Sequence, residues 1–294
     1  RLIFTEENRE AFYNDILTKK ETDSAAESIY KSYKNTADAA IASAWWRDGD
    51  VNYKNPGTEG ATTYVQGKAS DIMAVAFMWQ MTRDPKYLDN LTPKPQELLV
   101  KVSESYISSG AFLEDIAAGG SGIGRTGIVQ IALAFDFLHQ KMSADQLKRV
   151  ADVIGKSSKN AVMSRLYRTA VRKQDDPIND AYSTDRSQGV ATALGESHTA
   201  SSLAEFLFAA LAAYSETTSN DSTGVPFSFW TRKLADLTLN NIIGKPMWNG
   251  SGENVEGGGY ASTYTAVAIR HHVLANLVFP EAKFNKNPFL ANVT

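Results

Sequence analysis

Apolar residues recur at three- and four-residue spacing through one stretch of this chain after another. Nowhere do they alternate as a half-buried strand requires. Phe12, Ile16 and Leu17 share one face of a helix expected from Thr5 to Lys19. Residues 22–48 repeat Ala, Ile, Tyr and Trp at helical spacing up to Gly49. A third helix is expected over 63–81, stopped by Asp84-Pro85, because the residue before a proline is driven out of the helical region. Further helices are expected at 93–108 and 127–140. Ser143-Ala144-Asp145-Gln146 then has the form of a capping box, opening a helix that runs to about Val171. The last three are expected over 197–215, 227–243 and 262–278. No Asn-Gly hairpin flanked by β-branched residues is present, so the expected class is all-α.

The helices read as pairs joined by Gly- and Asn-rich loops, without a strict repeat, which disfavours a fixed-period solenoid. A closed or open ring of antiparallel helix pairs, an (α/α) toroid, fits better, with residues 1–294 as one domain. Its two longest loops, 48–62 and 172–195, are polar and aromatic, as loops around a cleft tend to be. A net charge of −3 supplies no basic field and argues against nucleic acid as a partner. No apolar run approaches the ~20 residues that span a bilayer, so no membrane partner is expected. The absence of cysteine excludes disulfides and thiolate metal sites and fits an extracytoplasmic protein, secreted or periplasmic. The start, Arg1-Leu2-Ile3-Phe4-Thr5, has no signal-peptide pattern and is read as that of a mature product or of a piece of a longer chain.

Two helix mouths carry chemistry. The glycine-rich segment Glu256-Gly257-Gly258-Gly259-Tyr260 leads through Tyr264 into the apolar run Ala266 to Ile269. Gly195-Glu196-Ser197-His198 opens another apolar helix in the same way. A tyrosine and a histidine placed so suit proton transfer on a sugar, since both side chains pass protons at short range once positioned. Aromatic faces stack on sugar rings, so one of the adjacent Trp45 and Trp46 is expected on glycan, with Trp46 as the candidate, and Trp248 is a further subsite candidate. His139, inside an apolar run, is expected to be structural, and His271 and His272 to lie at the surface.

Taken in order, these motifs resemble those of the heparinase II/III-like and alginate-lyase-like polysaccharide lyases, in their N-terminal helical toroid. Arg1 to Thr5 is similar to the start of that domain. Ala134-Phe135-Asp136-Phe137-Leu138, followed by Ser143 to Val150, resembles the family's A-Y-D-W-L … L-S-x-E-x-x-x-x-I stretch. The loop ending in Tyr264 resembles the strip that holds the family's catalytic tyrosine. The resemblance implies β-elimination on a uronic-acid polysaccharide, with no cofactor; no His-x-x-x-His or acidic ladder has good metal spacing, so no required metal is expected. It implies Tyr264 as proton donor, and as base as well if one residue does both jobs. His198 is then the base or the neutraliser of the uronate carboxylate, and Tyr260 the alternative donor. It also implies a C-terminal β-sandwich as a domain that completes the cleft in many members.

One departure stands out. Family members often place asparagine beside the histidine, whereas this chain has Glu196 and Ser197. An ionised Glu196 facing a uronate would repel it, so the neutralising group is expected among Arg186, Arg125 and Arg47, whose guanidinium forks suit a carboxylate. Glu196, Arg186, Arg125 and Glu256 are the remaining substrate-binding candidates. An alternative is a glycoside hydrolase on the same toroid, with two carboxylates drawn from Glu196, Asp185, Glu253 and Glu256. A second alternative is a glycan-binding domain without catalysis. Gly119 to Gly127 superficially resembles a phosphate loop, but neither a preceding strand nor a following Gly-Lys-Ser/Thr accompanies it. Asp175, Asp176 and Asp180 could hold a loosely bound cation.

Overall fold

The computed structural model describes residues 6–51, 61–109, 111, 127–171 and 197–235. These are helical almost throughout, with no strand among them and one isolated bridge between Asn220 and Pro226. The all-α class expected from periodicity therefore holds over the described residues. The chain divides into two compact units, one of Arg1–Phe112 with Gly127–Val153, the other of Leu113–Thr126 with Ile154–Thr294.

The first unit contains α1 (Glu6–Lys19), α2 (Ser24–Ala42), α3 (Ala44–Asp48), α4 (Ala61–Thr82), α5 (Pro95–Ser108) and α6 (Gly127–Leu138). It also takes the beginning of α7 (Ala144–Val171). Its centre is the second half of α4, where Ile72 and every residue from Ala74 to Met81 are buried. A helix apolar on all sides has to be covered on all sides, and α1, α2, α5 and α6 pack around α4. The Phe77 ring meets Tyr13, Tyr33 and Phe137 from three different helices, at centroid separations of 5.7, 4.3 and 5.6 Å. Gln80 enters this core with its side-chain amide N–H donating to the Phe137 carbonyl, while its main-chain carbonyl accepts from the Arg9 guanidinium at 3.1 Å.

Local chemistry sets the helix ends. Asp23 caps α2 by accepting from the Ala25 and Ala26 N–H groups, each at 2.9 Å. The single helix expected over 22–48 is two helices, because Ser43 stands in extended backbone between them. Its hydroxyl donates to the Ala40 carbonyl at 2.6 Å, closing α2, and accepts from the Trp46 N–H at 3.3 Å, opening α3. Gly49, at φ 61°, ends α3 in the left-handed conformation that glycine adopts without penalty. The capping box at Ser143 forms as expected: Gln146 N–H donates to Ser143 Oγ at 3.2 Å, and Ser143 N–H to Gln146 Oε1 at 2.9 Å. A three-way bond set ties α2 to the turn after α4. Tyr87 Oη (2.8 Å), Lys86 Nζ (3.2 Å) and Lys34 Nζ (2.7 Å) all donate to Asp38. Partial burial opposes ionisation of Asp38, but these donors outweigh it and bring its pKa down to about 2.

The second unit contains the rest of α7, α8 (Ser197–Ala212) and α9 (Phe227–Ala235). Phe206, Leu207 and Leu211 of α8 and Phe227, Leu234 and Ala235 of α9 are buried, and the two helices pack together. Gly155 of α7 is where Phe227 seats: a Cβ there would lie 2.6 Å from the Phe227 ring. The loop before α9 is organised by Asp221, whose side chain is 3% exposed. One oxygen accepts from the Thr223 N–H (2.8 Å), Thr223 hydroxyl (2.7 Å) and Val225 N–H (3.0 Å). The other accepts from Lys159 (2.7 Å) and the Trp230 indole (3.0 Å). Lys159 foremost, with Thr223 and Val225, holds this carboxyl well below the usual range. The helix of α9 is described to Ala235; the remainder of the expected 227–243 helix and the one at 262–278 lie outside the described residues.

Two glycine substitutions should move stability in opposite directions. Helix propensity alone favours alanine over glycine by roughly 1 kcal/mol. At Gly67 of α4 an added Cβ meets nothing within 4 Å among the described residues, so Gly67→Ala should gain about that much. At Gly155 the overlap with Phe227 costs about 1–3 kcal/mol and should outweigh the propensity gain. Thermal unfolding followed by circular dichroism checks both, and Phe227→Leu should recover part of the Gly155→Ala loss.

Candidate functional site

His198 is the second residue of α8, so the helix opens where the Gly-Glu-Ser-His segment predicts. Seven residues on, two turns further along α8, Glu205 is 4% exposed. Sequence reasoning did not single out this buried carboxylate, because it sits in an apolar run with nothing local to mark it. Tyr264, Tyr260, Glu256, Glu196, Arg186, Arg125 and Trp248 all lie outside the described residues. So do Asp185, Glu253, the three aspartates at 175, 176 and 180, and His271 and His272. Arg47 is exposed at the end of α3. His139 lies in a short turn after α6 with its ring edge-on to Phe135, at 5.6 Å and 80°, a packing contact of the kind expected for it. No group of three or more metal-ligating side chains occurs among the described residues, and no described helix is long and apolar enough to cross a membrane.

The tryptophan pair needs a correction. Trp46, expected on glycan, is 1% exposed, and its indole N–H donates to the Pro93 carbonyl at 3.3 Å. Both faces are spent on the core, so it has no surface to offer a sugar. The neighbouring Trp45 is the half-buried one of the two. A five-residue helix gives adjacent residues different faces, about 100° apart, so only one ring of such a pair can point inward.

Trp45 belongs to a polar-aromatic cluster built mainly by the first half of α4. Tyr64, Lys68 and Asp71 stand at i, i+4 and i+7, which places them on one stripe of that helix. All three, like Trp45, are half-buried. The Lys68 ammonium lies 4.5 Å from the Trp45 ring centroid and 4.9 Å from that of Tyr64. The Trp45 indole N–H donates to Asp71 Oδ2 at 3.0 Å. Burial raises the Asp71 pKa above the usual carboxylate range, against the opposing effects of the Trp45 bond and the Lys68 charge. Sequence reasoning reached Trp45 but not its partners. The signal available was the Tyr-Lys-Asp stripe at helical spacing ahead of a wholly apolar run.

Asp71 and Asp221 should therefore respond oppositely to amidation. Asp221 has a depressed folded-state pKa, so its contribution is present above the unfolded value of ~3.9 and lost as pH falls through the folded value. Asp71 has a raised one, so its ionisation costs stability as pH rises through ~3.9 and beyond. Asp221→Asn should lower the unfolding temperature at pH 7. Asp71→Asn keeps an acceptor for the indole and should leave the temperature unchanged or raise it. The difference between Asp71→Asn and the parent should vanish on acidification below that value. Melting curves across pH 3 to 8 test both, and a marked loss in Asp71→Asn at neutral pH would contradict the account of Asp71.

No protein-family model matches this chain, and none of the curated proteins matches its sequence.

Proposed function

We propose that this protein is a polysaccharide lyase that cleaves a uronic-acid-containing glycan by β-elimination, on an (α/α) toroid spanning residues 1–294. The observation that carries the reading is the order of three motifs similar to those of heparinase II/III-like and alginate-lyase-like enzymes. These are the opening Arg1 to Thr5, the Ala134–Leu138 stretch with Ser143 to Val150 behind it, and the Gly-rich approach to Tyr264; the helix mouth at His198 stands between the last two, with Glu196 and Ser197 where the family often has asparagine. Support comes from where the second motif and the histidine fall: Ala134 to Leu138 close α6, Ser143 caps α7, and His198 opens α8.

In this reading the uronate carboxylate is neutralised, which makes the C5 proton removable. His198 takes that proton or offsets the carboxylate. Tyr264 donates a proton to the departing glycosidic oxygen as the C4–O bond breaks and the C4–C5 double bond forms, with Tyr260 the alternative donor. Neutral imidazole is the form that accepts a proton, and an unperturbed histidine is mostly neutral above pH ~6.5. Arg186 and Arg125 supply cations for the substrate carboxylates, Glu196 and Glu256 bind its hydroxyls, and Trp248 stacks on a ring. The glycan is extracytoplasmic, and the enzyme is secreted or periplasmic.

Incubation with a panel of polyuronates and glycosaminoglycans, followed by near-UV absorbance, tests the reaction class. Elimination leaves a conjugated unsaturated uronate that absorbs, while hydrolysis leaves only new reducing ends. A rising signal unaffected by chelator is expected. Tyr264→Phe should cut the rate by roughly 10²–10⁴, the usual worth of a positioned proton donor, with an unchanged circular dichroism spectrum. Full elimination activity in Tyr264→Phe would remove that residue from the mechanism. New reducing ends without absorbance would make the enzyme a hydrolase instead.

A further inference from the structure

We propose that the outer side of α9, with Phe229, Trp230 and Lys233, binds one acidic sugar ring, the aromatic pair meeting the ring's C–H face and Lys233 its carboxylate. The identity of the ligand rests on the polyuronate reading; the place rests on the geometry of α9 and of the loop before it.

The helix α9 is two-sided. Phe227, Thr231, Leu234 and Ala235 are buried, and Phe227 seats against Gly155. Phe229, two residues on, is turned about 200° around the helix from Phe227 and is 42% exposed. A lone exposed apolar side chain needs no explanation, but Phe229 is not alone. Its ring stands edge-on to that of the half-buried Trp230, at 5.3 Å and 82°, and Pro226, three residues before it, is exposed as well. Two rings nearly at right angles present a corner of aromatic carbon, which suits the C–H face of a pyranose.

That corner is fixed before any ligand arrives. The Trp230 indole N–H donates to Asp221 Oδ2 at 3.0 Å, and the Lys159 ammonium lies 5.5 Å from the Trp230 ring centroid while pairing with Asp221 at 2.7 Å. Asp221 is itself tied by Thr223 and Val225. Its side chain is 3% exposed and its charge is met by Lys159, so it anchors the indole without presenting a carboxylate to an incoming anion. Rings already held in place lose little freedom on binding.

Charge selects the kind of sugar. The segment Phe227–Ala235 carries Arg232 and Lys233 and no acid. Arg232 is engaged, its Nε donating to Tyr214 Oη at 3.2 Å. Lys233 stands one turn after Phe229, with its ammonium 5.6 Å from that ring's centroid. Among the described residues no carboxylate meets it. A neutral ring attracts a cation without cancelling its charge, so Lys233 stays near the corner as a cation. A neutral sugar would gain stacking alone there, whereas an acidic ring gains stacking and an ion pair together.

The probes are a saturated tetrauronate and its carboxyl-reduced, neutral counterpart, titrated into the intact chain. Two-dimensional NMR follows the tryptophan indole N–H resonances, with Trp230 identified by Trp230→Phe, and near-UV absorbance is recorded in parallel. The Trp230 resonance is expected to shift saturably with the tetrauronate and little with the neutral oligomer. Phe229→Ala should weaken binding by about tenfold or more, as loss of an aromatic anchor does. Lys233→Met should weaken it by roughly three- to fivefold, the worth of an exposed ion pair, and Lys233→Arg should restore it. Both side chains are exposed, so the unfolding temperature should stay close to that of the parent. An unmoved Trp230 resonance, full affinity in Phe229→Ala or Lys233→Met, or equal shifts with both oligomers overturns the site. So does a Trp230 shift that follows protein concentration without ligand, which would make this face a contact between copies of the chain. The two readings separate cleanly. Binding that depends on Phe229 and Lys233 without any absorbance supports the site and rejects the lyase, whereas rising absorbance with an unmoved Trp230 keeps the lyase and rejects the site.

Discussion

The second half of α4 has no polar face, and much of the first unit follows from that fact. Between Ala74 and Met81 every side chain is buried, so a helix must lie on each flank, and α1, α2, α5 and α6 supply them. Phe77 alone touches rings from α1, α2 and α6. Fully burying one such ring is worth about 1.5–3 kcal/mol, so the contacts of this one segment outweigh any surface ion pair in the unit. The same helix changes character toward its N-terminus, where Tyr64, Lys68 and Asp71 come out of the core together. The buried core and the half-buried polar-aromatic cluster are thus two stretches of one helix, and the second inherits its position from the first.

Two carboxylates show how burial acquires opposite meanings. Asp221 is almost fully enclosed, yet five donors meet its two oxygens, and Lys159 supplies a full countercharge. Enclosure with that many partners favours the charged form, so the group acts as a knot for the loop between α8 and α9. Asp71 is less enclosed but has one indole donor and a cation that is also shared with two rings. There the loss of water dominates, and the carboxylate is maintained at some expense to stability. Groups kept against their own desolvation are characteristic of sites that bind or react, while groups saturated by the protein are characteristic of scaffolding.

Helix class and most helix starts were readable from the chain because they depend on local rules. The capping box at Ser143 and the opening of α8 at His198 follow from short-range hydrogen-bonding and periodicity, and both stand where expected. The break at Ser43 was not readable, since a serine inside an Ala-rich run signals a helix interior as readily as a double cap. Nor was the choice between Trp45 and Trp46. Adjacent rings share composition and propensity, and which one turns inward is decided by the Pro93 carbonyl, nearly fifty residues away in sequence. The same limit applies to Glu205 and Asp221, whose surroundings are assembled by tertiary packing. The proposed chemistry at Tyr264, Tyr260, Glu256, Trp248, Glu196, Arg186 and Arg125 rests on sequence, these positions lying outside the described residues.

Charge decides what kind of binding a chain like this can offer an acidic polymer. A net charge of −3 generates no long-range attraction for a polyanion, and at physiological salt any field decays over about 8 Å. Glu196 beside His198 adds to the difficulty rather than relieving it. Affinity for a polyuronate must then come from cations placed within contact distance of individual rings. A flexible surface lysine is poorly suited to that, because ordering it consumes much of the gain.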